Sequence, residues 1–94
     1  MHRSAKLKVQ GGKLVEVKLE CDSLIRSAQV VGDFFIHPED SLRDIEGSLV
    51  GTDVNESEEG MSKRISEVVE REGITMIGVS PQAIAKAVRM AVSP

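Results

Sequence analysis

Aromatic residues are almost missing from this sequence, which holds two phenylalanines, Phe34 and Phe35, and no tryptophan or tyrosine. Base stacking, aromatic cages and carbohydrate platforms all need exposed ring faces, so the composition argues against each. Cysteine occurs once, at Cys21. That rules out an internal disulfide and fits a reducing compartment. Lysine and arginine number 12 against 15 acidic residues, a formal charge of −3, and no basic stripe offsets the balance. A nucleic-acid partner, held by cations that neutralise phosphates, is not expected. No apolar run approaches the roughly 20 residues of a membrane helix. The start, Met1-His2-Arg3-Ser4-Ala5-Lys6, leads into alternating residues rather than an apolar signal segment. These absences together point to a cytoplasmic protein without a membrane partner.

What is present suffices for one core. The 94 residues make a single domain, 1–94, and the apolar fraction of 40% is carried by 12 Val, 7 Ile, 6 Leu and 4 Met. The first third alternates with a period of two. Ala5, Leu7 and Val9 interleave with lysines, and Val15, Val17 and Leu19 interleave with Glu16, Lys18 and Glu20. One face of each run is thus apolar and the other wet, as in an antiparallel sheet. Gly11 and Gly12 supply the positive φ of a tight hairpin turn. A second turn at Cys21-Asp22-Ser23 leads to a third run, Leu24 to Val31, whose mixed pattern suggests a strand buried more fully than the first two.

After Phe35 the period changes. Pro38 suits the first position of a helix, with Glu39 and Asp40 at the positive end of its dipole. Leu42, Ile45 and Leu49 form its apolar stripe, and Gly51 can stop it. Thr52 to Gly60 reads as an acidic surface loop. Met61, Ile65, Val68 and Val69 stripe a second helix capped by Gly73. The pairs Glu59/Lys63 and Glu67/Arg71 are spaced to support it at i,i+4. Ile74 to Val79 is a brief strand or an extended connector. Ser80 and Pro81 open a last helix, striped by Ile84, Ala87, Val88, Ala91 and Val92. The fold class is α+β: a three-stranded antiparallel meander followed by three helices packed on one face.

Chemistry-bearing motifs are scarce. Gly12-Lys13 is followed by Leu14 and a strand rather than by Ser/Thr and a helix, so it is a hairpin turn and not a phosphate loop. Metal ligands of the His or Cys type are limited to His2, His37 and Cys21. His37 with Glu39 and Asp40 is explained by a helix start without invoking a metal. Cys21 lies between Glu20 and Asp22, which disfavour a thiolate. The residues alone indicate no catalytic, cofactor-binding or metal site on this chain.

Three segments in order resemble the accessory domain of lipoate–protein ligases. They are Lys8-Val9-Gln10-Gly11-Gly12-Lys13-Leu14-Val15-Glu16-Val17, then Gly32-Asp33-Phe34-Phe35-Ile36-His37-Pro38-Glu39 with its following helix (Leu42, Ile45, Glu46, Leu49-Val50-Gly51), then Ile77-Gly78-Val79-Ser80-Pro81. The resemblance implies a fold similar to iron–sulfur scaffold and sulfur-acceptor proteins. It also implies a supporting role in the ATP-dependent activation of lipoate to lipoyl-adenylate, which precedes lipoylation of lipoyl-domain lysines. With its own Met1 and nothing of the catalytic domain, the chain looks like the non-catalytic small subunit of a two-chain ligase. Its implied partner is the catalytic large subunit, as a heterodimer, with lipoyl-domain acceptor proteins engaged indirectly. ATP, Mg and lipoate are implied in that partner, and none of them on this chain alone.

Two other readings stand beside this one. A sulfur-acceptor or iron–sulfur scaffold would work through Cys21. A generic interaction domain would use Ile74 to Val79 and the two rings. In the Gly32-Asp33-Phe34-Phe35 stretch, Gly32 permits unusual backbone angles and Asp33 is placed to fasten the turn through its side chain. Phe34 and Phe35 admit two arrangements. If the chain curls before Pro38, both rings are buried, the default for apolar residues. If it stays extended, they point to opposite faces and one is a partner contact.

Overall fold

The computed structural model describes residues 1–9, 11 and 13–93. The alternating first third forms a meander of β1 (His2–Lys8), β2 (Leu14–Cys21) and β3 (Ile25–Gly32), with β2 in the centre. The β1–β2 register pairs Ala5 with Val17 and Leu7 with Val15, so the apolar residues of both strands share one face. Val15, Val17 and Leu19 are buried there, while Lys6, Lys8 and Lys18 are exposed. At the hairpin Gly11 has φ +91, and the Val9 N–H donates to the Lys13 carbonyl at 2.8 Å. Gly12, the other half of the expected turn, lies outside the described residues.

β3 departs from the expectation of a more deeply buried strand. It is an edge strand, and Arg26, Ser27, Gln29 and Gly32 are exposed. Its irregular pattern comes from a register shift opposite Glu20 and Cys21. Glu20 pairs with Ser27 but Cys21 with Ile25, so one residue is skipped. Ile25 therefore faces the core at an odd spacing from Ala28, which a bulge permits and strict alternation does not.

Pro38 does not start the α-helix. It sits in extended backbone (φ −65, ψ 151) before a 3-10 turn, Glu39–Ser41, and α1 (Leu42–Leu49) follows. α1 buries Ile45 and Leu49. The peptide then turns through Gly51 at φ +86. α2 (Glu58–Glu72) begins inside the segment expected to be a loop, because the Ser57 hydroxyl caps it by accepting the Gly60 N–H at 2.9 Å. Gly73 ends it in the left-handed conformation, φ 65 and ψ 39. α3 (Pro81–Val92) has Pro81 in its first turn, and the Ser80 hydroxyl accepts the Ala83 N–H at 3.1 Å.

The rest of the expected surface loop is strapped to the sheet. Gly51 N–H donates to the Ile25 carbonyl at 2.8 Å, and Ile25 N–H donates to the Thr52 carbonyl at 2.9 Å. Thr52 is wholly buried. Arg89 on α3 donates through Nη1 to the carbonyls of Val54 and Glu56, at 2.7 and 3.2 Å. The ion pairs of this region also differ from the expected ones. Among the described residues they are Arg64–Glu56 and Arg71–Glu72, both at 3.5 Å and largely exposed.

α2 and α3 pack together, and α3 covers β1 and β2 while α1 lies beside β3. Ala85, Ala87 and Ala91 let α3 approach closely, so that Ile84 and Val88 join Val15, Val17, Ile65 and Met61 in one core cluster. Ile74 to Val79 resolves as a strand. β5 (Thr75–Ile77) pairs antiparallel with β4 (Phe35–His37) in a separate two-stranded ribbon.

Candidate interaction site

The ribbon is set up by two glycines. A Cβ on Gly32 would stand 2.0 Å from the Leu14 carbonyl oxygen and 3.0 Å from the Phe34 ring. Only a residue without a side chain lets β3 run this close to β2 before turning away. Gly78 is required for a different reason: its φ of +85 is left-handed backbone, while a Cβ there would only touch Asp33 and Phe34 at ordinary distances of 3.4–3.5 Å. Asp33 fastens the turn through its backbone, contrary to the side-chain role expected of it. Its N–H donates to the Leu14 carbonyl at 2.9 Å.

Beyond the turn the chain stays extended, so the default of two buried rings does not hold. Phe34 is half-buried against the core. Phe35 is 73% exposed. In the ribbon Phe35 pairs with Ile77, Ile36 with Met76 and His37 with Thr75. Directly paired residues share a face. Ile36 (buried) and Met76 (half-buried) point to the core, while Phe35, Ile77, His37 and Thr75 point outward. Ile77 is 60% exposed. Two large apolar side chains from segments forty residues apart thus meet on one outer face. The Phe35 ring borders two open depressions, one lined by Gly11, Lys13, Gly32 and Asp33, the other by Ile36, His37, Glu39 and Leu42. His37 caps no helix, since it is an exposed strand residue.

The pairing of Phe35 with Ile77 was not legible in the sequence. Three-residue strands are too short to show a period, and the only signal was a glycine flanking each segment, Gly32 and Gly78.

Elsewhere the polar groups serve the fold. Cys21 is not in a turn but buried at the end of β2, where it borders an open depression with Met1, Arg3, Asp22, Val54 and Val92. The Asp22 carboxylate accepts the Leu24 N–H at 2.9 Å and the Arg26 Nε–H at 3.1 Å. The backbone bond, with the guanidinium second, holds it below the usual aspartate range. Glu20 accepts from the Met1 amino group at 2.8 Å. This bond lowers the carboxyl's pKa and raises the amine's. A third depression, between β3 and α1, is lined by Gln29, Glu39, Asp40, Arg43 and Glu46. Its carboxylates repel a triphosphate, and Glu46 is already bonded to the Val30 N–H at 2.8 Å. Among the described residues, no three His, Cys, Asp or Glu side chains converge as a metal site. No helix among the described residues is long and apolar enough to cross a membrane.

No protein-family model matches the chain, and no curated protein matches it in sequence. Among solved structures it is similar to a chain from an archaeal lipoylation system, described as a bi-partite lipoate protein ligase and its E2 lipoyl domain from Thermoplasma acidophilum. The identity is 30% and the TM-score 0.77, with 95% of this chain and 96% of the other covered. The chain belongs to the family represented in this bi-partite lipoate protein ligase system, and its fold is consistent with an accessory domain.

Proposed function

We propose that this chain is the non-catalytic small subunit of a two-chain lipoate–protein ligase, working in the cytoplasm as a heterodimer with a catalytic large subunit. The observation that carries the reading is the 30% identity over almost the full length to a chain of a bi-partite ligase system. A match confined to one motif would support only a shared turn. ATP, Mg and lipoate belong in the large subunit, which joins lipoate to AMP and passes the lipoyl group to a lysine of a lipoyl domain.

Physical chemistry supports this division of labour. An adenylating site holds a triphosphate, a divalent cation and a carboxylate together while excluding water. This chain carries a net charge of −3, and its depressions are open and lined partly by carboxylates. A subunit without such a site acts on the conformation of its partner, ordering the loops that complete the catalytic constellation.

The test is reconstitution. Lipoyl-adenylate formation and the mass increase of a lipoyl domain are followed with the large chain alone, this chain alone, and both. Activity is expected only with both chains present. Adenylate formation by this chain alone, or an undiminished rate from the large chain alone, overturns the reading.

A further inference from the structure

The two edges of the three-stranded sheet are finished differently. In the β1–β2 ladder the Val9 N–H donates to the Lys13 carbonyl at 2.8 Å, and the Cys21 N–H to the Met1 carbonyl at 3.0 Å. Odd-numbered residues of β1 therefore bond to β2. The even ones, Ser4 and Lys6 foremost, aim their N–H and C=O groups away from the sheet. Among the described residues nothing in the fold bonds those groups. The β3 edge is closed. Glu46 takes the Val30 N–H at 2.8 Å, and Gly51 and Thr52 occupy both backbone groups of Ile25. The apolar layer also stops short beneath β1. Val15 and Val17 are wholly buried on β2, whereas their register partners Leu7 and Ala5 stay half-exposed. Val9 shares an open depression with Val79 and with Ala83 of α3.

We propose that β1 takes an extended, acidic segment of the catalytic subunit as a fourth strand of the sheet. The proposal rests on the small-subunit reading above. An open row of backbone donors and acceptors, repeating every second residue, is matched by the backbone of another strand. Charge selects which strand. β1 carries Arg3, Lys6 and Lys8 and no acidic residue, in a chain whose net charge is −3. Of the three cations only Lys6 meets a carboxylate across the ladder, that of Glu16. Arg3 faces Leu19, and Lys8 faces Leu14. A second copy of β1 would bring the same three cations to the same seam, where like charges repel. An incoming strand with carboxylates beside Lys6 and Lys8 pairs with them instead. Its alternate side chains, apolar and on the other face, extend the core over Ala5 and Leu7.

Amide exchange of this chain, followed residue by residue by NMR with and without the purified catalytic chain, reads the edge directly. In the free chain Ala5 and Leu7 are expected to exchange slowly, and Ser4 and Lys6 fast. With the partner bound, Ser4 and Lys6 are expected to slow by about 10-fold or more. Calorimetry compares the wild type with Ser4→Ala, Ser4→Pro and the double variant Lys6→Gln, Lys8→Gln. Ser4→Ala keeps the outward N–H and should bind as the wild type does. Ser4→Pro removes it and should bind about 10-fold more weakly. The glutamine variant should bind more weakly at low salt, with the gap closing as salt rises. Binding that leaves the exchange of Ser4 and Lys6 unchanged, or that Ser4→Pro does not weaken, overturns the proposal and leaves the small-subunit reading standing. So does binding indifferent to both glutamines. Failure of the wild type itself to bind overturns that reading and the proposal with it. Slow exchange of Ser4 and Lys6 in the free chain, with a dimer in light scattering, assigns the edge to self-pairing and overturns the proposal as well. Should Ser4→Pro unfold the free chain, the exchange pattern of the wild type decides.

Discussion

The carboxylate of Glu46, on α1, accepts the backbone N–H of Val30 at 2.8 Å across sixteen residues of chain. β3 is an edge strand, and outward N–H groups on an edge invite pairing with another chain. Glu46 closes that opening from a helix, where it is half-buried. Glu46→Ala leaves the N–H without its partner and is expected to cost about 1–2 kcal/mol. Glu46→Gln keeps an acceptor and should cost less. Urea denaturation of the three proteins checks the order, and equal stability of all three would show the bond to be dispensable.

Local signals made much of the architecture legible. Alternation in β1 and β2, the Ser80–Pro81 cap and Gly73 each act within a few residues, and each appears where the local pattern puts it. What the local pattern hid is non-local. A bulge opposite Glu20 and Cys21 carries no compositional mark, yet it reverses which β3 residues face the core. Arg89 holds carbonyls 33 and 35 residues away, and this turns an apparently free acidic loop into a strap. The fate of Phe35 is settled by pairing with Ile77. No inspection of residues 32–38 alone separates an extended stretch from a curled one.

Gly32→Ala should be the most damaging glycine substitution. Its Cβ would meet the Leu14 carbonyl oxygen at 2.0 Å, a backbone atom that cannot move without disturbing the sheet. A cost of about 3 kcal/mol or more is expected. Gly73→Ala meets open space and suffers only from its φ of +65, for about 1 kcal/mol. Thermal unfolding should rank the two variants in that order.

Thr52 is fully buried, and its Oγ1 has no hydrogen-bond partner among the described residues. Its backbone, not its hydroxyl, ties the strap to β3. Thr52→Val keeps the branched shape and removes the unpaired hydroxyl, so it should be neutral or stabilising by up to about 1 kcal/mol. Thr52→Ser keeps the hydroxyl and deletes a methyl, and should destabilise by about 1 kcal/mol. A destabilised valine variant would mean that the hydroxyl is bonded in solution.

Asp22 gives the acid limb of the stability curve a defined sign. Its folded pKa lies below the ordinary 3.8, so its contribution is complete above the unfolded value and disappears as pH falls through the folded one. Asp22→Asn retains an acceptor for the Leu24 N–H and removes only the charge. The melting-temperature gap between wild type and variant should be constant near neutrality and close on acidification below about pH 4. The effect is small because the pair with Arg26 is largely exposed. A gap unchanged down to pH 2 would show that the charge contributes nothing.

Cys21 separates the ligase reading from sulfur chemistry. The residue is 6% exposed and belongs to the wall of the sheet, opposite Ile25. A sulfur acceptor or cluster ligand must present its sulfur to a donor, and a residue with so little exposed surface reacts slowly unless the strand end opens. The native protein should therefore react slowly with a thiol-specific reagent and quickly once unfolded in urea. Alanine is the suitable replacement, because a serine hydroxyl at this depth would need a partner. Cys21→Ala is expected to lower stability by about 1 kcal/mol and to support adenylation by the large chain as the wild type does. If the folded alanine variant binds the large chain normally yet abolishes lipoylation, the thiol takes part in the reaction and the small-subunit role must be rewritten around it.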